Sequence, residues 1–223
     1  MSEATLSVVA VADPSASRTG IGRASAFRLA KRGYHIVVAD LQVDLGTQVA
    51  LEITQASPSI KAVFTRLVRL SSRRHHGLGF ADCREQDVSS ETSWKEAVAF
   101  TVATFGGVTT LINNGAPQPR RYSRHSTHVL HQRAAGIAGK VYTIEEQPLE
   151  EWNLVNSING SGPFLGMKTA SDALHKAGSG ASVVNVASMF AISGGLGNVP
   201  AYHGTPPKIR PTLDQVAHSL AML

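Results

Sequence analysis

The stretch AYHGTPPKIRP, Ala201 to Pro211, sets a phenol, Tyr202, within two helical turns of an ammonium, Lys208. A phenol with an ordinary pKa near 10 is a poor base at neutral pH, and a neighbouring cation makes it a better one. A lysine four residues after a tyrosine would share its helix face, but Pro206 holds that position here. Lys208 stands six residues on, about 240° around a helix from Tyr202. Pro206 and Pro207 also remove N–H donors and press the residues before them toward extended geometry. Tyr202 is therefore expected in a loop ahead of a helix that starts near Pro211, with Leu213, Val216, Ala217 and Leu220 on one face.

A second chemistry-bearing pattern lies near the start. TGIGRASAF places Gly20, Ile21 and Gly22 where an apolar run gives way to a helical one. Glycine allows close backbone approach, and a helix N-terminus offers N–H groups and a positive dipole end to a pyrophosphate. Asp40 lies 18 residues beyond Gly22, at the end of the next apolar run. That spacing suits a carboxylate accepting hydrogen bonds from ribose hydroxyls, which favours NAD over the 2′-phosphorylated NADP. The same residues could instead form a tight turn and a solvated strand end.

These residues need particular elements behind them. TLSVVAVA and YHIVVADL are short β-branched runs of the kind buried in parallel sheets, and RASAFRLAKRG between them has helical spacing with Gly33 as its stop. TSWKEAVAFTVATFG reads as a helix, VTTLINN as a strand and ASVVNVAS as another. PLEEWNLVNSINGSGPFLGMKTASDALHKAG reads as one long helical stretch opened by Pro148. Strands alternating with helices predict an α/β fold, a doubly wound parallel sheet with helices on both faces. One domain spanning residues 1–223 is expected from the length of 223 residues.

Charge is unevenly spread. Arg66 to Asp82 carries four arginines against one aspartate, and Gly115 to Ala134 carries four arginines and no acid. Together they hold +7 of a chain whose net charge is +5, so the remainder is slightly acidic. With little aromatic interleaving beyond Tyr122, these stretches do not predict a nucleic-acid partner. His75, His76, His125, His128 and His131 stand without cysteine pairs or carboxylates, so no metal is expected. No apolar run approaches the roughly 20 residues that span a bilayer, LSVVAVA is too short for a signal-peptide core, and Cys83 is the sole cysteine. A cytoplasmic protein is expected, with no membrane association.

GIGRASAFRLAKRGYHIVVADL resembles the opening of the short-chain dehydrogenases/reductases, and later segments extend the likeness. DVSSETSW, with Asp87 and Val88, resembles the strand end where the family contacts adenine. LINN resembles the first half of its Asn-Asn-Ala-Gly motif. EEWNLVNSINGSGPFLGMK resembles its central helix, with Asn159 at the catalytic-site asparagine, and VVNVASM puts Ser188 at the catalytic serine. Tyr202 follows 14 residues later at the position of the catalytic tyrosine. The resemblance implies a Rossmann-like three-layer α/β/α fold and an NAD(P)-dependent oxidoreductase. Such enzymes transfer hydride between nicotinamide and a small ketone or secondary alcohol. It implies that tyrosine moves the proton, serine bonds the substrate oxygen, asparagine positions a water, and lysine lowers the tyrosine pKa and holds the ribose.

Three departures stand out. Counted back without gaps, Ser15 and Ala16 occupy the places of the family's opening Thr-Gly, and another register puts Asp13 near the first glycine; a Cβ at Ala16 would tighten the turn, and an acid there would repel a pyrophosphate. Removing Gly115 to Ala134 joins LINN to AGIAGK, so Asn113, Asn114, Ala135 and Gly136 resemble one motif split by 20 residues. Stretches 66–82 and 115–134 are thus expected to be insertions foreign to the ancestral domain, of the kind a retained intron supplies, which sequencing the mature transcript would check. Lastly, the chain stops after LDQVAHSLAML, where family members continue with further strands. The fold is expected to lack those C-terminal strands, a homo-oligomer is expected to be weakened, and activity is expected to be impaired. Lys208 fills the lysine role only at the wrong spacing. The contrasting expectation is a non-catalytic, nucleotide-binding product.

Overall fold

A computed structural model of the chain describes residues 7–11, 20–40, 43–66, 88–114, 139, 141–178, 181–187 and 200–204. Within them five strands and six helices alternate: β1 (Ser7–Val11), α1 (Ile21–Ala30), β2 (His35–Asp40), α2 (Val43–Ala56), β3 (Ala62–Arg66), α3 (Glu91–Phe105), β4 (Thr110–Asn113), α4 (Leu149–Asn156), α5 (Gly162–Ala177), β5 (Ser182–Asn185) and α6 (Pro200–Gly204). Asp87, Ala135, Gly136, Ser188, Lys208, residues 67–82 and 115–134, and the helix expected after Pro211 lie outside the described residues.

The strands form one parallel sheet in the order β3-β2-β1-β4-β5. Both faces are covered, which is why β2 and β4 read as unbroken apolar runs and not as alternating ones. Ile36, Val38 and Ile112 face one core with Ala26, Ala30, Val49 and Ile53 of α1 and α2. Ala39, Leu111 and Val183 face the other, with Trp94, Ala97, Val155, Ile158 and Leu174 of α3 to α5. This is the three-layer α/β/α, Rossmann-like arrangement that the alternation of elements predicts.

Local signals mark the helix ends, and of these Gly33 was expected. Gly33, at φ 90°, ends α1 in a backbone conformation that side chains resist. The Ser90 hydroxyl accepts from the Ser93 N–H at 3.3 Å and opens α3, and Gly106, at φ 83°, closes it. Helix α2 has no counterpart among the sequence expectations, although Val49, Ala50 and Ile53 give it a buried stripe.

Two elements differ from expectation. The long helical stretch breaks into α4 and α5 at a π-helical turn, Ser157–Ser161. Pro163 has no N–H for the carbonyl four residues back, and the Gly162 N–H reaches instead to the Ser157 carbonyl, five residues back. Tyr202 also lies in a helical turn, α6, and not in a loop. Pro200 suits a first helical position, and the described turn, Pro200–Gly204, precedes Pro206 and Pro207 in the sequence. No helix among the described residues is long and apolar enough to cross a membrane.

Candidate dinucleotide and active site

The chain runs outward from β1 to β2 and β3, then returns across the sheet to lay β4 against the other side of β1. Ligands of doubly wound sheets bind at such a reversal, beyond the carboxyl ends of the strands. Asn113 is the last residue of β4, paired in register with Val11, and Asn114 follows it. Asp40 ends β2, and Gly20 is the N-cap of α1, which succeeds β1. The topology thus gathers residues from widely separated parts of the sequence at one edge of the sheet.

Gly20 holds extended backbone (φ −63°, ψ 148°) with no side-chain cap, Ile21 begins the helix, and Gly22 is buried in its first turn. The first turn of a helix presents backbone N–H groups that suit an anion. Arg23, next along, points its guanidinium to Glu52 of α2 at 2.5 Å and lies over the Phe27 ring. Its charge is therefore answered within the protein. Asp40 is buried at 6% exposure, a protected carboxylate and not a solvated strand end.

At β4 the amides are more revealing. The Asn113 Nδ2 donates to the Asn185 Oδ1 at 2.7 Å and, at 3.4 Å, to the Pro163 carbonyl. One side chain therefore joins β4, β5 and the start of α5, just after the π turn that carries Asn159. Asn114 is 3% exposed, and its Oδ1 has no hydrogen-bond partner among the described residues. Buried acceptors are nearly always satisfied, so an acceptor without a partner among the described residues, just past the end of β4, suits a ligand's donor group. The Asn113 Oδ1 likewise has no partner among the described residues and faces Gly166, where an added Cβ would stand 2.8 Å from it.

The residues carried over for proton transfer are divided. Asn159 sits in the π turn, a kind of helix irregularity frequent at functional sites. Tyr202 is 8% exposed in α6, which packs on α4; Gly204 lies so close to the Trp152 ring that a Cβ there would overlap it. Val88 is buried, with its carbonyl accepting from the Trp94 indole N–H at 2.8 Å. Asn185, Trp94, Gly162 and Gly166 went unnoticed in the sequence, and Pro163 inside a helical pattern was the one local sign of the π turn. Among the described residues no group of three or more His, Cys, Asp or Glu could hold a metal ion.

Comparison with known proteins is consistent across sequence and structure. The short chain dehydrogenase family model matches residues 68–205. A 2,5-dichloro-2,5-cyclohexadiene-1,4-diol dehydrogenase, LinX, of Sphingobium indicum is 29% identical over 192 residues, covering 86% of this chain and 59% of that protein. Cyclohexanol dehydrogenase of an Acinetobacter species is 27% identical, covering 83% and 59%. The chain thus spans about three-fifths of the length of these curated relatives. Among solved structures, levodione reductase superposes with a TM-score of 0.65 at 24% identity, over 90% of this chain and 60% of that one. The alcohol dehydrogenase of Thermococcus sibiricus, complexed with 5-hydroxy-NADP, gives 0.63 at 20% identity, over 90% and 65%. Both likenesses support the fold.

Proposed function

The chain belongs to the short-chain dehydrogenase family, and from that premise we propose that it binds a nicotinamide dinucleotide across the β1–β4 reversal. Its ancestral reaction is the interconversion of a small ketone and a secondary alcohol, and turnover by this chain is impaired. The observation that carries the reading is Asn114 at the β1–β4 reversal, buried, with an Oδ1 that has no hydrogen-bond partner among the described residues.

The dinucleotide, when bound, supplies or takes up the hydride. The residues that would hold it are Gly20, Ile21 and Gly22 at the pyrophosphate, Asp40 at the adenosine ribose, Asp87 and Val88 at the adenine, and Asn113, Asn114, Ala135 and Gly136 along the reversal. Asp40 favours NAD, because a 2′-phosphate would meet a carboxylate protected from water. Tyr202 gives or takes the proton at the substrate oxygen, Ser188 hydrogen-bonds that oxygen, and Asn159 positions water in the proton's path. Cys83 as the sole cysteine supports a cytoplasmic setting.

A second reading, nucleotide binding without catalysis, is favoured by Pro206. It occupies the place four residues after Tyr202 where a lysine would reach the phenol. Purified protein titrated with NADH, followed by quenching of the dinucleotide's fluorescence, tests binding. A panel of ketones and secondary alcohols then tests turnover. Binding with slow turnover is expected; binding with none supports the second reading; absence of binding removes both.

A further inference from the structure

Val88 is held from two sides by residues with no role assigned so far. From the first turn of α3, the buried indole of Trp94, 1% exposed, donates its N–H to the Val88 carbonyl at 2.8 Å. The same turn is fixed again by the Ser90 hydroxyl accepting from Ser93, and by the Trp94 N–H donating to the Ser90 carbonyl at 3.2 Å. From across the core, Gly162, the first residue of α5, leaves a notch that Val88 fills. A Cβ on Gly162 would stand 2.9 Å from Val88 Cγ2 and 3.5 Å from the Val88 carbonyl oxygen. The Trp94 ring reaches further, to Gly166, where a Cβ would come within 3.0 Å of it.

A buried indole N–H must find an acceptor, and here the acceptor is a backbone carbonyl outside any helix or strand. Because the peptide unit is planar and trans, turning the Val88 carbonyl inward to Trp94 turns the N–H of the same unit, that of Ser89, away from the indole. The indole therefore sets the orientation of the backbone that leads from Val88 into α3. Phenylalanine in its place would fill most of the volume but leave a buried carbonyl to re-aim itself.

We propose that Trp94 is a positioning residue for the adenosine half of the dinucleotide, acting through the Val88 backbone, with Gly162 as the opposing wall. The inference rests on the dinucleotide reading above. It adds that adenosine affinity is set partly by a side chain in the core beneath the site. It also joins the adenine end to the π turn of Asn159, since Gly162 is the residue on which that turn closes.

The test uses calorimetric titration of the full chain with AMP, nicotinamide mononucleotide and NADH, for the parent and for Trp94→Phe, with melting curves of both. The expected result is AMP and NADH binding weakened by about three- to tenfold, as the loss of one buried hydrogen bond implies, with mononucleotide binding unchanged. Unchanged AMP affinity in a folded Trp94→Phe protein overturns the inference while leaving the dinucleotide reading in place. Equal weakening of AMP and mononucleotide also overturns it, as the mark of general loosening. If the parent binds none of the three, the dinucleotide reading falls, and this inference with it. Should Trp94→Phe not fold, Gly162→Ala, which presses on Val88 from the other side, is read by the same criteria.

Discussion

The amide of Asn113 donates to the Oδ1 of Asn185 at 2.7 Å, joining the carboxyl ends of β4 and β5 across 72 residues of sequence. A second, longer bond from the same nitrogen to the Pro163 carbonyl ties that pair to the helix that follows the π turn. Replacing Asn113 with alanine removes both and leaves two half-buried acceptors, the Asn185 Oδ1 and the Pro163 carbonyl, without that donor. Chemical denaturation should show Asn113→Ala less stable by about 1–3 kcal/mol.

Gly166 lies over the same junction. An alanine there would bring its methyl to 2.8 Å from Asn113 Oδ1 and 3.0 Å from the Trp94 ring, closer than such atoms ordinarily approach. Neither neighbour is a loose surface side chain, so the overlap has no easy exit. Gly166→Ala should cost about 1–3 kcal/mol of stability, read from the shift in denaturation midpoint.

Glu91 bridges two helices, meeting Lys95 at 2.9 Å and Lys168 at 3.0 Å. The hydrogen bond from Lys95, then that from Lys168, holds its carboxyl below the ordinary value. A depressed carboxylate stabilises the fold above its unfolded pKa and ceases to do so as pH falls through its folded pKa. The stability difference between the parent and Glu91→Gln should therefore be present at pH 7 and vanish as the solution is acidified below the usual carboxylate range. Because the cluster is solvent-facing, added salt should shrink that difference at pH 7.

The double change Pro206→Lys, Pro207→Gly restores a lysine four residues after Tyr202 and releases the backbone that α6 would need to continue. Any residual ketone reduction should rise, with a larger effect on kcat than on KM if the phenol's proton transfer is limiting. No change in rate would count against the proposal that a displaced lysine impairs turnover.

Much of this arrangement was legible in the residues, and the illegible parts share a physical cause. The β1-α1-β2 unit could be read because β-branched runs, a glycine turn and Gly33 all act locally. Asp40, Asn113 and Asn114 could be placed at strand ends for the same reason. Asn185 could not, since its link to Asn113 depends on sheet pairing between distant segments. The π turn was marked by Pro163, but its consequence depends on which N–H reaches Ser157. Tyr202 lies in a helical turn that opens at Pro200 and packs by Gly204 against the Trp152 ring, a contact between segments far apart in the sequence that local reading does not supply.

The most direct measurement is calorimetric titration of the full chain with NADH and, separately, with NADPH. Saturable one-to-one binding of NADH is expected, tighter than that of NADPH because of Asp40. No heat of binding with either dinucleotide at about 1 mM, the upper end of ordinary enzyme working concentrations, would contradict dinucleotide binding at the β1–β4 reversal.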